Sequence, residues 1–125
     1  MENNQGPTLG HGKICYIEIP AVDAEASSAF YQQVFGWSLR KRSDGSIAFD
    51  DGVGQVSGTW VVGPKPIGEA GMVISIMVDD AAAMVERIVA HGGKIAQPIG
   101  AHFPEITARF TDPVGNLWGI YQEPR

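Results

Sequence analysis

The sequence predicts an α+β fold in which two tandem βαβββ modules form an eight-stranded mixed sheet with two helices outside it. Three observations support this prediction. The same order of element types occurs twice along the 125 residues, Asp23 and Asp80 stand 57 positions apart before the two helices, and a glycine-containing turn precedes the last strand of each copy. Two related halves with one insertion indicate a duplication.

The first module begins with a strand over residues 15–19, in which Tyr16 and Glu18 share one face. Asp23 is placed to cap a helix that runs to about residue 35, and Gly36 is placed to end that helix in a left-handed conformation. The remaining strands of the module are expected over residues 37–40, 46–50 and 56–61.

The second module repeats this order, with a strand over residues 73–78 and a helix that Asp80 caps and Gly92-Gly93 ends. The offset of 57 positions also pairs Gly36 with Gly93. Downstream the offset becomes 61, which pairs Gly58 with Gly119, and the four extra residues are expected in the loop over residues 97–104. The predicted organisation is a flexible tail over 1–12 and one domain over 13–125, with module one at about 13–62, a linker at 63–71 and module two at about 72–122.

Composition and charge exclude several classes of protein. A hydrophobic share of 44% and a charged share of 18% are ordinary for a globular domain. The net charge of -5 argues against a nucleic-acid partner, which needs a basic face, and no apolar run is long enough to span a membrane. The first residues show neither the basic nor the apolar region of a secretion signal. Cys15 is the only cysteine, which excludes an internal disulfide, so we expect a cytoplasmic protein.

Two stretches resemble the vicinal oxygen chelate superfamily, which comprises glyoxalases, bleomycin resistance proteins and dioxygenases, and in particular its glyoxalase-like branch. Residues 16–37, with Phe30-Tyr31 and Phe35-Gly36-Trp37, are similar to the first module of such proteins. Residues 108–120, which contain the turn 112–116, are similar to their closing strand, turn and strand. Together with the repeat, the resemblance covers about residues 13–122.

In the enzymes of this superfamily the eight strands curve into a cup, and His, Glu or Gln side chains from the first and fourth strands of each module hold a metal inside it. The resemblance therefore implies that the eight-stranded mixed sheet is curved into a cup here too. The resemblance places the metal-ligand positions on Tyr16, Gly58, Val73 and Gly119. Glycine and valine carry no donor atom and a lone tyrosine is a poor ligand for a divalent cation, so we expect no metal and no cofactor. The two glycines leave two interpretations open: room for a planar ligand or a neighbouring backbone, or relief of strain in curved strands.

Side-chain alternation predicts which other residues line the cup. The candidate ligand-binding residues are Tyr16, Glu18, Asp50, Gly58, Trp60, Val73, Ser75, His102, Arg109, Gly119 and Tyr121. Glu18, Asp50 and Arg109 are either ligand contacts or members of an internal ion pair. His102, in the 97–105 loop, is either solvated or part of a lid. No catalytic residue is assigned.

The leading hypothesis is a metal-independent small-molecule binding protein of the glyoxalase/bleomycin-resistance type. The alternative is a glyoxalase-like lyase, isomerase or dioxygenase acting on a small organic substrate, with Tyr16, Glu18 or His102 as acid or base. A purely structural partner domain is the third possibility. The expected partners are a small organic ligand and a second copy of the chain, because proteins resembling this one are usually dimers and exposed sheet edges are a hazard.

Overall fold

The computed structural model describes residues 6–11, 13–63, 66 and 73–124. The chain forms two compact units, residues 1–63 and 64–125. Residues 1–5 and 12 of the predicted tail and most of the predicted linker lie outside the described residues. In the part of the chain that the structure describes, no helix is long and apolar enough to cross a membrane.

Each unit is a four-stranded mixed sheet with one helix. The first contains β1 (Tyr16–Ala21), α1 (Ala24–Phe35), β2 (Ser38–Lys41), β3 (Ile47–Asp50) and β4 (Ser57–Val62), in the strand order β1-β4-β3-β2. The second contains β5 (Ser75–Val78), α2 (Ala81–Ala90), β6 (Lys94–Gln97), β7 (Ile106–Thr111) and β8 (Leu117–Gln122), in the order β5-β8-β7-β6. First and fourth strands are parallel and the other pairs antiparallel. The predicted α+β fold of two βαβββ modules is confirmed.

Both helices begin at the predicted aspartates. The Asp23 carboxylate accepts the Glu25 N–H at 3.0 Å, and the Asp80 carboxylate accepts the Ala83 N–H at 3.1 Å. Gly36 ends α1 with φ of 74°, as predicted. The left-handed residue after α2 is Gly92, with φ of 100°. The match of Gly36 with Gly93 is therefore wrong by one residue.

The longer connection in the second unit lies where it was predicted. Arg40 and Ala48 are strand partners eight positions apart, whereas Gln97 and Arg109 are partners twelve positions apart. The four additional residues therefore belong to the β6–β7 connection.

The turn before the last strand differs between the units by one residue. The Asp51 N–H donates to the Val56 carbonyl, five positions on, while the Asp112 N–H donates to the Asn116 carbonyl, four positions on. The first unit therefore holds one extra residue before β4. Thr59, rather than Gly58, is the counterpart of Gly119, so the predicted match of Gly58 with Gly119 is wrong.

Candidate functional site

The sheet face turned away from α1, here called the distal face of the first sheet, carries polar side chains. Tyr16 and Glu18 of β1 lie there, and Tyr16 is 44% exposed. The Arg42 guanidinium donates to the Tyr16 hydroxyl oxygen at 2.6 Å, with its central carbon 5.7 Å from the centre of the tyrosine ring. Arg42 follows β2 and is held by its own N–H, which donates to the Ser46 carbonyl at 2.8 Å.

A second arginine on this face is paired. Arg40 donates through Nε and Nη2 to the two carboxylate oxygens of Asp50, at 2.9 and 3.0 Å, and the Ser57 hydroxyl donates to Asp50 at 2.8 Å. The hydrogen bond from Arg40 is the largest cause that lowers the pKa of Asp50, and the same bond raises the pKa of Arg40. Asp50 thus belongs to an ion pair, one of its two predicted roles, and its partner is Arg40.

Gly58 and Trp60 lie on the opposite face from the one predicted. A Cβ on Gly58 would stand 2.5 Å from the Phe49 ring, and Trp60 packs against Phe49 and Tyr31 with ring centres 4.9 and 5.7 Å apart. These contacts put both residues on the α1 side. The reason is the extra residue before β4, because a shift of one position reverses which face each side chain takes.

The predicted residues of the second sheet surround Gly119. Gly119 is the strand partner of both Ser75 and Arg109. A Cβ on Gly119 would meet the Ser75 hydroxyl oxygen at 2.6 Å, so Ser75 fills the room that this glycine leaves. Arg109 is half-buried. Val73 precedes β5 and lies outside the strand.

The 97–105 loop and the end of β8 hold the remaining predicted residues. An imidazole nitrogen of His102 lies 3.3 Å from the Thr107 hydroxyl oxygen. The Tyr121 hydroxyl donates to Glu123 at 3.0 Å, and this hydrogen bond is the largest cause that raises the pKa of Tyr121. Neither contact tests the predicted lid or a role in ligand binding.

Comparison with known proteins identifies the family. Residues 13–120 match the family model of the Glyoxalase/Bleomycin resistance protein/Dioxygenase superfamily. The chain belongs to this superfamily. It is 31% identical to a glyoxylase-like domain-containing protein of Didymella fabae, over 91% of this chain and 96% of that protein.

Solved structures of other proteins share the fold. The genomically encoded fosfomycin resistance protein FosX of Listeria monocytogenes superposes with a TM-score of 0.75 at 17% identity, over 90% of this chain and 92% of that one. TnmS3, an antibiotic binding protein of Streptomyces sp. CB03234, gives 0.71 at 19% identity, over 94% and 100%. At these identities the likeness concerns the fold alone.

The residues at the superfamily's metal-ligand positions do not suit a divalent cation. With the turn corrected, these positions are Tyr16, Thr59, Val73 and Gly119. The Thr59 hydroxyl donates to the Ile47 carbonyl at 2.6 Å, and the Tyr16 oxygen already accepts from a guanidinium, whose charge would repel a metal. Among the described residues, no group of three His, Cys, Asp or Glu side chains could hold a metal ion.

Sequence reasoning missed Arg40, Arg42 and Thr59 as members of the distal face. The signal was present for the two arginines, since they stand two positions apart on a hairpin whose opposite strand carries Asp50. Alternation applied to β2 as well as to β3 would have found them. Thr59 could not be found without the length of the turn before β4.

Proposed function

We propose that this protein binds a small organic molecule without a metal, on the distal face of its first sheet. One observation carries the proposal: Tyr16, which occupies a metal-ligand position of the superfamily, is held at 2.6 Å by Arg42. A protein cation in that place and a metal ion are alternatives, because two adjacent positive charges repel each other. The face keeps polar groups that can orient a ligand.

Proteins of the same fold support the proposal. They include one described as an antibiotic binding protein and one described as a fosfomycin resistance protein. A glyoxalase-like lyase, isomerase or dioxygenase is the alternative, and it would have to work with the same residues. Binding alone needs only a complementary surface, whereas catalysis also needs an acid, a base or a nucleophile set against the substrate.

Elemental analysis combined with a ligand screen tests the proposal. The purified protein is expected to carry metal only well below one equivalent per chain. Metal-free protein should be stabilised against heat by members of a small-molecule library, by about 2.7 kcal/mol for a ligand at one hundred times its Kd. One tightly held metal per chain that is lost in Tyr16→Phe, or ligand binding that requires added metal, would contradict the proposal and favour the enzyme.

We also propose a cytoplasmic homodimer. Within the described residues, β1, β2, β5 and β6 each pair on one side only, which leaves sheet edges for a second copy to cover. Cys15 is a free, exposed thiol, which suits a reducing compartment. Sedimentation at micromolar concentration should give twice the 13.4 kDa mass of the chain, and a monomer there would refute the dimer.

A further inference from the structure

We infer that Arg42 and Tyr16 together bind the oxyanion of the ligand, a carboxylate or a phosphate group. This inference rests on the proposed function and names the class of ligand. The net charge of the chain is -5, which by itself would disfavour an anionic ligand. The charge that a ligand meets on one sheet face, however, is local. Exposed charges more than about 10 Å away are largely screened at ordinary ionic strength.

Arg42 is the arginine of the distal face that is available to a ligand. The guanidinium of Arg40 already makes two hydrogen bonds to the Asp50 carboxylate, which neutralises it. Arg42 forms no ion pair with the described residues, and its hydrogen-bond partner, the Tyr16 phenol, is uncharged. Its positive charge is therefore not compensated by direct contact.

The nearest acidic residue along the chain, Asp44, forms no ion pair with Arg42. One oxygen of the Asp44 carboxylate accepts both the N–H and the hydroxyl of Ser46, at 2.9 and 2.7 Å. These two bonds are the main causes that lower the pKa of Asp44, and the field of Arg42 contributes less. The Asp44 carboxylate is thus hydrogen-bonded within the turn, and a ligand anion would not have to displace it from Arg42.

Tyr16 supplies a second donor at the same place. Its oxygen accepts a hydrogen bond from Arg42, so its own O–H can donate to another acceptor, and none of the described residues accepts it. A hydroxyl and a guanidinium side by side match an oxyanion, since hydrogen bonds to a charged acceptor are about twice as strong as neutral ones. The backbone bonds of the turn, from Arg42 to Ser46 and from Gly45 to Arg42, hold the arginine before any ligand arrives.

Glu18 limits where the anion can lie. Its side chain is exposed on the same face, two positions from Tyr16 on β1. A ligand anion is therefore expected at Arg42 and Tyr16 and away from Glu18. Replacing Glu18 with Gln should tighten the binding of an anion by about two- to threefold, because it removes a like charge.

Titration calorimetry with three aromatic probes tests the inference on the full chain. Benzoate, phenyl phosphate and benzyl alcohol differ in the charge of one group. The buffer should be Tris treated with a chelating resin, because phosphate, HEPES and EDTA are themselves anions. We expect benzoate or phenyl phosphate to bind at least about tenfold more tightly than benzyl alcohol, and the tighter of the two identifies the preferred oxyanion.

Single substitutions connect binding to the two residues. Arg42→Gln should weaken the binding of the anionic probe at least about tenfold, and Tyr16→Phe about three- to tenfold. Lys41→Gln is the matched control, since it removes the same charge from the residue directly before Arg42. The Lys41 ammonium lies 3.7 Å from Glu25. Lys41→Gln should change the affinity less than about twofold.

The outcomes separate the inference from the proposed function. If neither anion binds, if benzyl alcohol binds as tightly, or if Arg42→Gln and Lys41→Gln have equal effects, the oxyanion site is refuted while metal-free binding of other ligands can still stand. If benzoate binds only after a divalent metal is added, the proposed function fails. Loss of binding in Arg42→Gln with an unchanged urea midpoint supports the site, since the loss is then not due to unfolding.

Discussion

The two units share one topology, but their cores are built from different side chains. The core of the first unit is aromatic: Tyr31 and Phe49 both stack on Trp37, with ring centres 4.8 and 4.5 Å apart. The second unit buries mainly aliphatic and small side chains, with Phe110 and Trp118 as its buried aromatic residues. One strand order is therefore compatible with two kinds of packing, as expected where the hydrophobic pattern rather than residue identity determines the fold.

The two turns before the last strands, β4 and β8, differ in length, and this difference determines the register. Asp112 is 3% exposed and one of its oxygens accepts three backbone N–H groups, while Asp51 accepts two. Both turns reverse the chain around an aspartate, yet the first is one residue longer. That residue reverses the face on which each β4 side chain lies when its position is counted from the aspartate. Positions in a duplicated fold therefore correspond through strand register, and counting residues from a turn that both units share can give the wrong match.

The largest expected effect is a difference in stability between variants of Gly58 and Gly119, the two glycines that the offset of 61 positions had matched. Gly58→Ala should lower the free energy of unfolding by about 3 kcal/mol, because a methyl there collides with the Ile17 carbonyl and the Phe49 ring. Gly119→Ala should cost about 1 kcal/mol or less, since it meets a serine hydroxyl that can rotate. Urea denaturation followed by circular dichroism measures both.

A matched double variant checks the cause of the smaller effect. Adding Ser75→Ala to Gly119→Ala removes the 2.6 Å contact and should restore most of the lost stability. Equal losses at Gly58 and Gly119 would show that the two glycines do correspond and that the strand register described above is wrong.

The next largest effect on stability is expected at Asp112 and Asp51, the aspartates of the two turns. Asp112→Ala should lower the unfolding free energy by about 2–3 kcal/mol, because it removes a carboxylate that is only 3% exposed and leaves three backbone N–H groups of the turn without their acceptor. Asp51→Ala should cost about 1–2 kcal/mol, since its turn is half-buried and water can replace the carboxylate. The same urea experiment measures the difference, and a larger loss at Asp51 would contradict the comparison.

Much of the fold could be predicted because its signals are local. Asp23 and Asp80 cap helices through their own side chains, and the alternation of β1, β7 and β8 is visible in the sequence. The apolar stripe of α1 is harder to predict from the sequence. Ala26, Phe30 and Val34 recur at every fourth position, yet Ala26 is exposed, whereas Tyr31 is fully buried. A stripe counted in steps of four drifts around a helix with 3.6 residues per turn.

The candidate site was less predictable because its features depend on distant partners. The pairing of Arg40 with Asp50 crosses two strands, and the contact of Arg42 with Tyr16 joins residues 26 positions apart. Neither follows from periodicity. Gly58 and Trp60 were placed on the wrong face because one residue in a turn has no signature in composition. Register is a tertiary property, and local patterns do not determine it.

The smallest expected effect concerns the ion pair of the first sheet, for which the second sheet forms no counterpart among the described residues. Asp50→Asn removes the negative charge that pairs with Arg40. The pair is partly exposed, with side-chain exposures of 50% and 31%, so the loss at neutral pH should be a few tenths to about 1 kcal/mol. Lys41→Gln, which removes the more exposed contact with Glu25, should cost no more than a few tenths.

The pH dependence of this loss shows whether the charge of Asp50 is responsible. Because hydrogen bonding to Arg40 lowers the pKa of Asp50 in the folded state, its stabilising contribution is fully present above the unfolded pKa of about 3.9 and disappears as the pH falls through the folded value. The stability difference between the natural chain and Asp50→Asn should therefore be constant near neutrality and shrink below about pH 4. Urea midpoints measured from pH 7 to pH 2.5 test this, and a difference that persists undiminished at the lowest pH would mean that Asp50 acts through packing rather than charge.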